Sequence, residues 1–117
     1  MKRSGILTII TFFLAVGVAA AQTPDPKKVA DGQKAYDVHK CNTCHTVKGQ
    51  GSKAASALDG VGAKLSAADI KGWLTNTAAM EAKLKTKPKV PMSMYMKGQK
   101  LTDADVDALV AYMSSLK

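Results

Sequence analysis

The apolar and polar positions of this chain divide it into an apolar leader followed by short amphipathic segments. Ile6 to Val18 is continuously apolar but for Thr8, Thr11 and Gly17, and it follows Lys2 and Arg3. Beyond it the pattern is helical wherever it is periodic. Lys27 to Lys40 predicts a helix with Asp25 as N-cap and Pro26 at the first helical position. Its apolar stripe is Val29, Ala35, Tyr36 and Val38. Lys48 to Lys64 is glycine-rich and has no stripe, which predicts loop. In the next segment Ile70, Trp73, Leu74 and Thr77 fall at i, i+3, i+4 and i+7 behind a Ser66 that can cap the Asp69 amide. Ala78 to Lys85 predicts a further short helix around Met80 and Leu84. Pro88 and Pro91 then favour an extended strap, in which Met92, Met94 and Met96 recur at period two and would face one way. Thr102 caps the last helix, Asp103 to Leu116, with Asp103 and Asp105 in its first turn. Val106, Leu109, Val110 and Met113 share one face of it. No β pattern and no repeat is visible, so the fold class is all-α.

The leader reads as a signal peptide over residues 1–21. A charged start, an apolar run and Ala19-Ala20-Ala21 before Gln22 are its three parts. An uncleaved membrane anchor is the alternative, against which the run is short of the roughly 20 residues a span needs. Residues 22–117 then form one exported domain. Without Lys2 and Arg3, 15 of the 17 basic residues remain against 9 acidic ones. A basic surface suits nucleic acid, anionic lipid or an acidic protein. No lysine run exceeds two and no arginine remains, so nucleic acid is disfavoured. The mature chain keeps only Tyr36, Trp73, Tyr95 and Tyr112 as aromatics. Small domains with so little apolar bulk recruit core from disulfides, metals or cofactors.

The candidate chemistry lies in Cys41-Asn42-Thr43-Cys44-His45. This spacing attaches a c-type haem: each thiol adds to a vinyl group and the next histidine faces the iron. Two rivals fit less well. Zinc could be counted from Cys41, Cys44, His39 and His45, but structural zinc draws its ligand pairs from separate segments. A redox dithiol wants a βαβ setting, which is missing. His39 reads as a solvated helix residue. Haem iron takes a second axial ligand, and Met92, Met94 and Met96 are its candidates, although methionines also simply fill gaps.

With these parts assembled, Lys27 to Lys117 resembles a class I c-type cytochrome. The resemblance rests on CNTCH, on CHTVKGQG and LDGVGAKL, and on two pairs in the terminal helices, Gly32 with Tyr36 and Leu109 with Tyr112. It implies a compact fold of three to five helices around one covalent haem, with the N- and C-terminal helices crossing where those pairs meet. It implies His45 as one iron ligand, with a backbone carbonyl receiving the proton on its far ring nitrogen. The family commonly puts a proline there; this chain has Ser56. Met-x-x-aromatic after a proline points to Met92, with Tyr95 following; counting back from the last helix points to Met94, with Met96 last. The cofactor-binding set it implies is Cys41, Cys44, Trp73, Tyr36 and Tyr95, with Trp73 placed near a haem propionate. The implied function is a periplasmic or otherwise exported one-electron carrier, monomeric and not an enzyme. Its partners would be acidic redox proteins or a membrane oxidoreductase. A haem sensor or peroxidase-like protein, or a fixed subunit of a larger oxidoreductase, is the alternative.

Overall fold

The computed structural model of this protein describes residues 23–117, so the leader and its cleavage site lie outside the described residues. Six α-helices follow one another: α1 Pro26–Val38, α2 Val61–Lys64, α3 Ala67–Thr75, α4 Thr77–Ala82, α5 Met92–Met96 and α6 Asp103–Ser115. A 3₁₀ turn, Cys41–Thr43, and a two-stranded hairpin, β1 Thr46–Val47 with β2 Gln50–Gly51, lie between α1 and α2. No helix among the described residues is long and apolar enough to cross a membrane.

The longer helices start where local chemistry starts them. Asp25 accepts from the Lys27 amide at 2.8 Å with Pro26 in the first helical position. Reciprocal caps open α3 and α6. The Asp69 amide donates to Ser66 Oγ at 3.1 Å, and the Asp105 amide donates to Thr102 Oγ1 at 3.1 Å. In each case the carboxylate accepts in return from the cap's own amide. α1 ends at Val38, sooner than the sequence suggests. Val38 is 72% exposed, so the buried face is Gly32, Ala35 and Tyr36 without it.

Those three residues meet α6. A Cβ on Gly32 would run into the Ala108 carbonyl and lie 2.6 Å from Tyr112 Cβ, so only glycine allows the helices this close. The rings of Tyr36 and Tyr112 stand edge to face, 5.8 Å apart at 64°. Leu109 is completely buried beneath them. α3 packs on the other side of α6 through Ile70 and Leu74. Thr77 continues the apolar stripe of α3 past its end, buried with its hydroxyl donating to the Trp73 carbonyl at 2.7 Å. α2 is tied to the C-terminus by the Gly62 amide on the Leu116 carbonyl at 2.8 Å.

Three expectations are corrected. Lys48 to Lys64, expected as loop, holds the turn and second strand of the hairpin and α2. Lys48 (φ 50°) and Gly49 (φ 76°) give the hairpin the two left-handed residues of a tight turn. The methionine strap is not extended: Met92 to Met96 is a helical turn entered from Pro91. Among the described residues six helices are present where three to five were expected, the additions being the short turns α2 and α5, and the all-α class stands.

Candidate functional site

Between α3, α5, α6 and the Cys41 turn lies a cavity of about 500 Å³, within the ~300–1,000 Å³ range of cofactor and ligand sites. Its back wall is core: Ile70, Leu74, Leu109 and Met113 belong both to the hydrophobic cluster and to the lining. Cys41, Cys44 and His45 form one side; Met92, Tyr95 and Met96 also line it.

The cysteine side is built from backbone geometry. After α1, Lys40 takes a left-handed conformation (φ 56°) and turns the chain into the 3₁₀ turn. The Cys44 and His45 amides both donate to the Cys41 carbonyl, at 3.2 and 3.0 Å. Burial pushes the Cys41 thiol up to about 11, so it stays neutral rather than becoming a reactive thiolate. His45 Nδ1 lies 2.7 Å from the Ser56 carbonyl. A carbonyl only accepts, so Nδ1 carries the proton and Nε2 keeps its lone pair. Among the described residues Nε2 has no hydrogen-bond partner, which leaves it free to bind a metal. The Ser56 loop is itself bonded to the motif, with the Ser52 amide on the Asn42 carbonyl, Ala55 on Cys44 and Leu58 on Thr46. Tyr36 Oη donates to the His45 carbonyl at 3.2 Å, and a Cβ on Gly51 would collide with that same carbonyl.

On the methionine side, the helical turn separates the three thioethers. Met92 and Met96, one turn apart, line the cavity. Met94 lies outside the lining and is 68% exposed. The expectation that all three face one way is therefore overturned. Met96 also packs against the core cluster. Tyr95 Oη donates to the His39 carbonyl at 2.9 Å and lies 3.4 Å from that of Lys40, which ties α5 to the end of α1.

Of the other expected residues, Trp73 and Tyr95 line the cavity and Tyr36 does not. Tyr36 acts one layer back, between Tyr112 and the His45 backbone. His39 is not solvated. Its side chain is 16% exposed, with Nδ1 3.1 Å from Gln99 Oε1 and Nε2 3.4 Å from Asp105 Oδ2. That ring joins α1 to the start of α6, and both of its nitrogens are engaged there although His39 also lines the cavity. Among the described residues no cluster of three or more His, Cys, Asp or Glu side chains is arranged to hold a metal, which removes the zinc alternative. Glu81 is a residue the sequence reading missed: its carboxylate takes the Ser93 amide at 2.9 Å and the Ser93 hydroxyl at 2.6 Å. The available signal was its isolation, since it is the sole acid between Asp69 and Asp103.

The parts fit a haem. Two thiols lie beside an apolar slot, an imidazole offers a lone pair, and thioethers lie on the lining. Fold and site together define a small helical protein built around a covalent haem. The family model for cytochrome c matches residues 29–117, and the chain belongs to that family of haem-based electron carriers. Membership implies a covalently bound haem c with its iron, and Cys41 and Cys44 fit its attachment motif. No curated protein and no solved structure shows a significant match to the chain.

Proposed function

We propose that this chain is an exported monohaem electron carrier whose iron is held by His45 and Met92. The observation that carries this reading is the cavity lining, which offers His45 Nε2 and the thioethers of Met92 and Met96 to one apolar slot. Met96 also packs against the core cluster, which supports Met92 as the ligand. When bound, the haem supplies a one-electron iron couple. His45 and Met92 would both bind its iron and would leave no position open for substrate, and a thioether ligand favours the reduced state relative to a second imidazole. The apolar wall excludes water and acts in the same direction. Trp73 lines the slot with an indole N–H able to donate to a propionate. Cys41 and Cys44 attach the ring. Two titratable side chains on the cavity lining are already engaged, Glu81 with Ser93 and His39 with Asp105, which supports electron transfer over enzymatic turnover.

Partner choice follows from charge. Lys83, Lys85, Lys87, Lys89, Lys97 and Lys100 fall in a stretch with no acidic residue from Ala82 to Thr102. Leu84 and Val90, both exposed, line the cavity mouth among them. Such a surface steers encounter with an acidic redox protein or a membrane oxidoreductase and weakens with salt. The carrier works as a monomer, and the leader directs it to the periplasm or an equivalent exported space. N-terminal sequencing of the secreted form should begin at Gln22; a retained residue 1–21 segment would make it a tethered carrier.

The deciding experiment is the spectrum of the oxidised protein. An iron–methionine band should be present, should vanish in Met92→Ala, and should survive in Met94→Ala and Met96→Ala. Loss in Met96→Ala alone would move the ligand one turn. Absence of the band from the unaltered protein, with ready binding of carbon monoxide once reduced, would favour the sensor or peroxidase-like reading.

A further inference from the structure

Helix α5 is five residues long and its N-cap, Pro91, has no side chain able to cap it. The chain leading to it does not fix it either. Lys83 to Val90 holds no regular element, and no backbone amide from Lys85 to Val90 donates a backbone hydrogen bond. A carboxylate from another helix fixes it instead. Glu81, in α4, receives the Ser93 amide on Oε1 and the Ser93 hydroxyl on Oε2, a two-pronged grip across 12 residues. Seven lysines lie between Asp69 and Asp103, yet this sole acid spends both oxygens on Ser93. The grip holds its carboxyl below the usual range, with the Ser93 hydroxyl the largest cause, then the Ser93 amide. The other end of α5 is held separately, by Tyr95 on the His39 carbonyl.

We infer that Glu81 is a positioning residue for the sixth coordination position: its grip on Ser93 holds the Met92 end of α5 against the cavity and sets how readily that position opens. The inference rests on the methionine reading above and adds to it the group that governs the ligand's residence. Met92 is the residue before Ser93, so releasing the grip frees the ligand's own backbone, while Tyr95 keeps the far end of the helix attached. Tertiary capping by a carboxylate is charge-assisted, and such bonds are about twice as strong as neutral ones.

The test uses the oxidised holoprotein and imidazole as the competing ligand. The unaltered protein, Glu81→Ala, Ser93→Ala, the double variant and Ser93→Thr are compared by titration, by the iron–methionine band and by urea midpoint. Glu81→Ala should bind imidazole about tenfold more tightly, equivalent to about 1.4 kcal/mol of easier opening. Ser93→Ala should move the same way, the double variant should go no further than Glu81→Ala alone, and Ser93→Thr, which keeps hydroxyl and amide, should behave as the unaltered protein. A lowered urea midpoint with unchanged imidazole affinity would overturn the inference, because it would make Glu81 a stabilising cap and nothing more. If Glu81→Ala does not accumulate, Glu81→Gln, which keeps shape and loses charge, should show the same shift in smaller measure, and no shift there counts against the grip. An unaltered protein without the band would sink the methionine reading first and this inference with it; a band that persists while the affinities stay equal would sink this inference alone.

Discussion

Removing the haem tests how much of the fold belongs to the cofactor. The cavity it would vacate is about 500 Å³ and is bounded by the core residues Ile70, Leu74, Leu109 and Met113. Residual cavities in cores cost about 24 cal/mol per Å³, so an unrelaxed void of this size corresponds to about 12 kcal/mol. The whole stability of a domain this size is about 5–15 kcal/mol. Water entering through the mouth recovers part of that cost, and collapse recovers more only by abandoning the native packing. The α1–α6 crossing cannot compensate, because two 13-residue helices are marginal when isolated. The apo chain is therefore expected to be unfolded or molten. The assay takes the Cys41→Ala/Cys44→Ala variant, extracts any haem held without covalent bonds, and follows urea unfolding by far- and near-ultraviolet circular dichroism. Loss of the near-ultraviolet signal of Trp73 and the tyrosines, with no cooperative transition, is the expected result. A cooperative melt with the urea slope of the holoprotein would refute the reasoning, since it would mean that the core closes without the ring.

The same double variant should lose all haem on a denaturing gel, whereas each single cysteine variant should keep one thioether link; haem staining of the double variant would contradict the attachment. Gly32→Val drives a side chain into the Ala108 backbone carbonyl, so it should cost about 3 kcal/mol, the upper part of the overpacking range, and an unchanged urea midpoint would show that the helices do not bear on each other there. Asp105 is held below its ordinary 3.8, first by the Thr102 amide and hydroxyl and then by His39. Its folded value is depressed, so its contribution is complete above the unfolded value and is lost as pH falls through the folded one. Asp105→Asn should accordingly flatten the acid side of the stability–pH curve, and an acid slope equal to that of the unaltered protein would remove Asp105 from its cause.

What was legible in the sequence was local. Ser66 with Asp69, and Thr102 with Asp105, announce two helix starts because each cap closes within three residues. The Cys41-to-His45 motif is equally short, and the place of Ser56 came from the resemblance rather than from any pattern. Two of the misreadings share one cause, a partner far along the chain. His39 looked solvated because Gln99 and Asp105, its two partners, lie some 60 positions away. The methionine segment looked like a strand because its helical turn is capped by Glu81, which no window around residue 92 contains. Val38 continues the apolar pattern of α1 in sequence but lies off the face that Gly32, Ala35 and Tyr36 bury. The hairpin turn was hidden by Lys48, a residue seldom found at positive φ.

The hydrogen bond from His45 Nδ1 to Ser56 has an evolutionary consequence. Most of what positions it belongs to the main chain: the Ser56 carbonyl accepts, and the loop is stitched to the motif through the amides of Ser52, Ala55 and Leu58, with the Ser52 hydroxyl taking the Ala54 amide. A carbonyl is the same whichever side chain it carries, so this hydrogen bond does not itself dictate which residue stands at position 56. The Ser56 amide makes no backbone hydrogen bond, so even proline can occupy that position without removing one. The hydrogen bond thus depends on the length and path of the loop, and an insertion there should disturb it more than a substitution at Ser56.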